Sequence, residues 1–209
     1  MKKVISFDLD GTLVDGAYGN MVWLEGIPRR YAQRYAIPFD EAKRLVTTEY
    51  DSIGEGDVLW YDMAYWLRRF SLAISIPELL DEYEAHIRVL PNVAEVLEQL
   101  RTRYVLVIAS NAARLFVEKE LHQSGLAGYF RHAVSATSDF KMVKKEEAFY
   151  HRLCSMLDVS PSEMVHIGDH ATFDVDVPLR VGLDAFHYSP CGEPNGRTIR
   201  DFKELLGLL

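Results

Sequence analysis

The stretch VISFDLDGTLVDG, residues 4–16, runs an apolar segment straight into two aspartates one residue apart. Val4 to Phe7 has the length and composition of a short, fully buried strand. Asp-Gly is a common turn dipeptide, so one reading is a strand that finishes in a polar turn, with Asp15 a further turn residue. The other is a pair of carboxylates, Asp8 and Asp10, held at the mouth of an active site. What the rest of the chain brings to the end of that strand decides between them.

Beyond the first strand the pattern changes. From about Gly19 to Ile87 only helical patterns occur, punctuated by Pro28, Pro38, the segment SIGEG and Pro77. Asp57–Phe70 places Leu59, Met63, Trp66, Leu67 and Phe70 on one helical face; Asp40–Tyr50 and Pro77–Ile87 read as two more helices. After Pro91 a helix through Leu100 leads into YVLVIAS, residues 104–110, the clearest buried strand. Helices and short apolar runs then alternate. A helix over Ala112–Gln123 precedes the strand HAVSA, and a helix over Lys144–Leu157 precedes the strand MVHIGD. A short helix over Asp174–Val181 precedes the strand DAFHY, and Thr198–Leu206 reads as a terminal helix. Alternation of this kind implies a parallel sheet covered on both faces. The expected fold is α/β: a Rossmann-like doubly wound core of residues 1–15 and 86–209, interrupted after its first strand by an all-helical insert over 16–85.

With 209 residues, 48% of them apolar, the chain can bury a large core. The net charge of −8, with acids and bases mixed along the chain, argues against a nucleic-acid or anionic-membrane surface. MKKVISFDLD offers too few apolar residues for a signal peptide, and no apolar run approaches a membrane span. Cys154 and Cys191 are isolated and form no disulfide framework. The expectation is a soluble cytoplasmic protein with no nucleic-acid, membrane or evident protein partner.

Ligands of open parallel sheets bind at the carboxyl ends of the strands. Asp8 and Asp10 follow the first strand, Ser110 and Asn111 follow YVLVIA, and Asp169 follows MVHIG with Asp174 five residues on. Each group has a plainer reading. Ser110-Asn111 could cap the next helix, Gly168-Asp169 could be a turn, and Lys141, Lys144 and Lys145 could be a solvated helix start. The spacing His166-x3-His170-x3-Asp174 suits zinc ligands on one helical face, but Gly168 and the strand before it argue against a helix there.

DLDGT, VLVIAS, a lysine ahead of a helix, and HIGDHATFD, in that order, resemble the four motifs of the haloacid dehalogenase superfamily. The helical insert is similar to that family's C1 cap. The resemblance implies that Asp8 attacks phosphorus and carries an aspartyl-phosphate, while Asp10 handles the leaving-group and water protons and Thr12 helps orient Asp10. It implies Mg²⁺ held by Asp8, the Asp10 backbone carbonyl and Asp169, with Asp174 completing the acidic cluster. Ser110 and Asn111 would bind phosphate oxygens and Lys144 would neutralise the remaining charge. The sequence departs from the pattern where Lys145, not proline, follows Lys144, and where Pro178 follows the fourth motif. The distance to Phe149-Tyr150 favours Lys144 over its two neighbours.

Dehalogenases that this chain resembles lack the second aspartate, because halide leaves without a proton. Asp10 therefore points to a phosphatase acting on a small phosphorylated metabolite, with a phosphomutase as the alternative. A receiver-type signalling module would place its acceptor aspartate after a later strand and has no room for the insert. A catalytically silent phosphate-binding protein would be expected to lose Asp8 or Asp10. Trp23, Trp60 and the arginines 29, 30, 34, 68 and 69 are the insert residues that could reach substrate.

Overall fold

A computed structural model describes residues 1–144, 146–193 and 195–209. Six parallel strands form one sheet in the order β3-β2-β1-β4-β5-β6. They are β1 (Val4–Phe7), β2 (Val105–Ser110), β3 (His132–Ser135), β4 (Met164–Gly168), β5 (Asp184–Tyr188) and β6 (Thr198–Ile199). β1 lies at the centre, with Val4 opposite Val105 on one side and Met164 on the other. All four of its residues are buried, as a strand covered on both faces requires.

Alternate strand residues feed two apolar layers. Ile5, Phe7, Leu106, Ile108, Val165 and Ile167 pack with α6 (Val93–Leu100), α7 (Arg114–Gln123) and α10 (Leu205–Leu208). Val4, Val107, Ala109 and Met164 face the other way, against α8 (Glu147–Met156) and α9 (Val177–Val181). The doubly wound reading therefore holds.

Between β1 and α6 the described chain is helical, with α1 (Ala17–Met21), α2 (Ile27–Tyr35), α3 (Phe39–Ile53), α4 (Met63–Arg69) and α5 (Ile76–Asp81). This insert has its own apolar cluster around Tyr18, Val46, Tyr50 and the fully buried Trp66. Phe116 of α7 joins that cluster and ties the insert to the sheet.

The structure corrects several boundaries: the helix expected over Pro77–Ile87 is α5 followed by a 3₁₀ turn, Glu84–His86, and two other changes have a visible cause. The single helix expected over Asp57–Phe70 is a 3₁₀ turn, Val58–Tyr61, followed by α4. Two aspartates cause the break: Asp57 accepts from the Leu59 N–H and Asp62 from the Tyr65 N–H, so each starts a new helical piece. The helix expected over Thr198–Leu206 begins as β6, with His187 opposite Thr198. Asp201 then opens a separate turn in a reciprocal cap with Glu204.

Candidate active site

Asp8 leaves the end of β1 with its N–H bonded to the Ile167 carbonyl of β4 at 2.8 Å, which fixes it between the two strands. Its buried carboxylate meets Lys144, whose Nζ lies 2.6 Å from Asp8 Oδ1 and 2.7 Å from Asp174 Oδ1. Lys144 sits in the turn ahead of α8, which starts at Glu147, rather than inside the helix. Asn111 aims this lysine. Its Oδ1 accepts the Lys144 backbone N–H at 2.8 Å, and its Nδ2 donates to the Tyr61 hydroxyl at 3.3 Å. Asn111 was expected against phosphate; its side chain is engaged with the lysine loop and the insert. Lys141 is exposed, and Lys145 lies outside the described residues.

Asp8, Asp169 and Asp174 each bring a carboxylate oxygen within 4.8 Å of the others. Two glycines permit this crowding. A Cβ on Gly11, at φ +74°, would stand 2.2 Å from Asp169 Oδ2, and one on Gly168 would stand 2.2 Å from the Asp174 carboxyl group. Asp174 also accepts from the His170 N–H at 3.0 Å and contacts His166 Nε2 at 3.0 Å.

Burial would raise the carboxyl of Asp174, but the Lys144 ammonium and the His166 hydrogen bond outweigh it and hold the group below the usual range. At Asp8 burial wins. Its pKa is pushed well up against the opposing Lys144 charge, with Asp174 and Asp169 adding to the rise. Burial lowers His166, so it is a neutral imidazole that donates from Nε2 to Asp174 while Nδ1 faces the Ser6 hydroxyl at 2.8 Å. His170 turns elsewhere: its Nδ1 accepts the Thr172 and Phe173 N–H groups, and its ring stacks on Phe173 at 3.9 Å. The two histidines and Asp174 thus do not converge on a zinc site. Among the described residues the metal-type group is the three aspartates, a hard-oxygen set that suits a divalent cation such as Mg²⁺.

Asp10 stands apart from that group, with Oδ1 3.5 Å from the position a Cβ on Gly19 of α1 would take. Behind it lies Glu120 of α7, which is fully buried with neither carboxyl oxygen bonded to an N–H or O–H donor. Two carboxyl groups share a hydrogen bond only if one carries a proton. Burial first, and the Asp10 charge second, push the Glu120 carboxyl well above the usual range, which favours its protonated form beside Asp10. Thr12, expected to orient Asp10, directs its hydroxyl to Asp169 Oδ1 at 3.5 Å. Ser110 is buried at the end of β2, where its oxygen accepts the Ala112 N–H at 3.0 Å and its proton remains available. The helix cap reading does not apply to it, because Ala113 occupies the N-cap of α7.

These groups form one wall of a cavity of about 370 Å³. The facing wall comes from the insert and α7: Asn20, Trp23, Glu55, Trp60, Tyr61 and Phe116. Of the insert residues singled out in the sequence, the two tryptophans reach the cavity and the arginines do not. Arg29 pairs with Glu25 at 3.0 Å, Arg30 with Glu82, and Arg69 with Glu49 at 3.0 Å. Sequence reasoning missed Glu120, Glu55 and Tyr61 as site residues, and weighed His166 only as a zinc ligand rather than as a partner of Asp174. Of the three missed, Glu120 left a signal, standing with Phe116, Val117 and Leu121 on the buried stripe of its helix.

A Rossmann-like sheet with acids gathered at its carboxyl edge and a helical insert over them defines a class of hydrolases. Residues 2–182 match the haloacid dehalogenase-like hydrolases, and the chain belongs to that family as a phosphatase-like member. It is similar to a phosphoglycolate phosphatase of Vibrio vulnificus, 30% identical across 96% of this chain and 90% of the relative. A GMP/IMP nucleotidase of Escherichia coli is 21% identical across 86% of this chain and 79% of its own length. Among solved structures, a phosphatase of the same family from Thermococcus onnurineus superposes with a TM-score of 0.87 at 27% identity, covering 100% of this chain and 97% of the other.

Proposed function

We propose that the chain is a Mg²⁺-dependent phosphatase that hydrolyses a small phosphorylated metabolite through an aspartyl-phosphate on Asp8. The observation that carries this reading is Lys144, buried between Asp8 and Asp174. It is a cation committed to holding negative charge beside a carboxylate placed for attack. Phosphate-monoester hydrolysis is among the slowest uncatalysed reactions, with enzymatic accelerations reaching ~10²¹, so nucleophile, proton handler and charge stabiliser are all needed.

Ser110 donates its hydroxyl proton to a phosphoryl oxygen, and Lys144 balances charge on the same group. The Asp8 carboxylate attacks phosphorus; as that P–O bond forms, the ester oxygen leaves with the proton of Asp10. Asp10, now a carboxylate, removes a proton from water. The water oxygen attacks phosphorus, the Asp8–phosphorus bond breaks, and inorganic phosphate is released. Burial raises the pKa of Asp10, which suits its acid role, while a protonated Glu120 beside it would stabilise the carboxylate needed for the second step. Asp8, Asp169, Asp174 and the Asp10 carbonyl would hold Mg²⁺, which when bound supplies positive charge between the nucleophile and the phosphate. Residues 16–85 act as a cap that excludes bulk water and contacts the leaving group.

Turnover of p-nitrophenyl phosphate before and after exhaustive chelation tests this reading. Activity should vanish in EDTA and return with Mg²⁺, and Ca²⁺ should restore it poorly because its looser coordination misplaces Asp8. Undiminished turnover in EDTA would remove the metal from the scheme.

A further inference from the structure

The cap-side wall carries information about the leaving group. Trp23 lies nearly parallel to Phe116, with ring centroids 5.9 Å apart and 5° between planes, and stacks on Trp60 at 6.2 Å and 27°. Tyr61 meets Trp60 edge-on at 4.8 Å. The rings form a continuous panel in the lining of the cavity that also holds Asp8, and Asn20 lines the same cavity. Trp66 of the same insert is fully buried and holds the panel in place, since its Nε1 donates to the Trp60 carbonyl at 3.1 Å.

The charge on this wall is negative. Glu55 lines the cavity, with its Oε1 3.4 Å from His170 Nε2. His170 accepts two backbone N–H groups at Nδ1, so its proton sits on Nε2 and faces Glu55. Among the described residues lining the cavity, Lys144 is the one Lys or Arg, and both Asp8 and Asp174 already claim it. A leaving group bearing a carboxylate would meet the like charge of Glu55 at the exposed margin of the cavity, with no lysine or arginine among the described lining residues left to pair it, and like charges repel. A planar neutral ring would gain area and π-stacking on the panel.

We propose that the substrate's leaving group carries a neutral planar ring, as a nucleoside or an aryl-substituted alcohol does, and that the site discriminates against phosphate esters of short hydroxy acids. The proposal rests on the phosphatase reading above. It separates this chain from its phosphoglycolate-named relative by the chemistry of the cavity wall. At about 370 Å³ the cavity lies at the small end of ligand pockets, ~300–1,000 Å³, which favours one ring system over an extended chain.

The test compares four esters of primary alcohols by kcat/KM: adenosine 5′-monophosphate, 2-phenylethyl phosphate, glycerol 1-phosphate and phosphoglycolate, with p-nitrophenyl phosphate as the generic control. At least one ring-bearing ester should exceed phosphoglycolate by about tenfold or more, and which of the two leads identifies a nucleoside or an aryl source. Phosphoglycolate matching or exceeding both overturns the proposal while leaving the phosphatase reading intact. So does turnover of p-nitrophenyl phosphate with neither ring-bearing ester accepted. No turnover of any phosphate, with Mg²⁺ present, takes both readings down together. Two variants then locate the effect. Trp60→Ala should raise KM for the preferred ring-bearing ester about tenfold, and Glu55→Lys should narrow the gap to phosphoglycolate by a similar factor. If neither variant moves the ratio between ring-bearing and carboxylate substrates, the wall is not what selects.

Discussion

The two walls of the cavity are built by opposite means. On the sheet side nearly every polar atom has a partner. Lys144 bridges Asp8 and Asp174, His166 and the His170 N–H hold Asp174, and Asn111 holds the Lys144 backbone. On the insert side the contacts are ring against ring, and the polar groups stand at the margins. A bonded charge network has essentially one arrangement, since removing any member strands a buried charge. An aromatic panel can be resized one ring at a time while its fold persists. The first wall suits a reaction common to every phosphate ester; the second suits the part of the substrate that differs.

The largest break in this contrast should come at the nucleophile. Asp8→Asn should lower kcat on p-nitrophenyl phosphate by about 10⁴-fold or more, and no phosphoryl adduct should appear in intact-protein mass spectrometry. Asp10→Asn gives the complementary result. Nitrophenolate leaves without a proton, so Asp8 should still be phosphorylated, but water then lacks its base and the adduct should accumulate. A phosphoryl group gained by the Asp8→Asn protein would move the nucleophile elsewhere.

Lys144 comes next. Lys144→Met should reduce kcat/KM by about 10²–10³-fold, the range for a lost electrostatic stabiliser. Lys141→Ala, at an exposed position, should stay within about threefold of the parent protein. The burial that raises Asp8 acts with less opposition once the lysine is gone, so the pH at which activity rises should move upward in Lys144→Met. A larger loss at Lys141 would overturn the assignment.

These residues were legible because strand ends are. A continuous apolar run such as Val4–Phe7 announces a buried strand, and in a parallel sheet the next polar residue falls at the ligand edge. Asp8, Ser110 and Asp169 could therefore be placed without coordinates. β6 could not: two residues, Thr198 and Ile199, are too few to show any period. Nor could the break at Asp62, where a capping aspartate interrupts an apolar spacing that continues through it. The aromatic panel was half-visible. Trp23 and Trp60 stood out as candidates, but so did the arginines, and only tertiary contacts show those arginines paired with Glu25, Glu82 and Glu49.

Glu120 lies behind Asp10, outside the cavity lining, and should give an intermediate effect. Glu120→Leu removes the protonated carboxyl beside Asp10 and should cost about tenfold in kcat, whereas Glu120→Gln puts an amide donor there and should stay near the parent protein. Stability separates the protonated state from simple packing. A carboxyl whose pKa is raised on folding binds more protons in the native than in the unfolded chain. Its contribution is fully present below the unfolded value and is lost as pH rises toward the folded one. Glu120→Gln abolishes that loss. Its Tm should therefore pull ahead of the parent as pH rises above the ordinary glutamate range, by about 2–4 °C for each kcal/mol involved. Parallel Tm curves across pH would show that Glu120 does not hold a proton in the folded protein.

The smallest effects should come from the insert's arginines, and their smallness matters as much as the losses above. An arginine on a cap is the obvious partner for an anionic leaving group, and the sequence offers several. In the fold, Arg29 and Arg69 lie on the surface against Glu25 and Glu49, and Arg34 sits over the Tyr35 ring at 5.7 Å, all away from the cavity lining. Exposed ion pairs of this kind contribute little, because water and salt already screen them. Arg29→Ala and Arg34→Ala should leave the preference among phosphate esters within about twofold of the parent, the range for surface substitutions. The measurement is the ratio of kcat/KM for phosphoglycolate to that for 2-phenylethyl phosphate in each variant. A shift of tenfold at either arginine would mean that the insert closes further over the substrate than this arrangement shows, bringing a cation to a wall where the described residues include rings, Asn20 and Glu55 but no lysine or arginine.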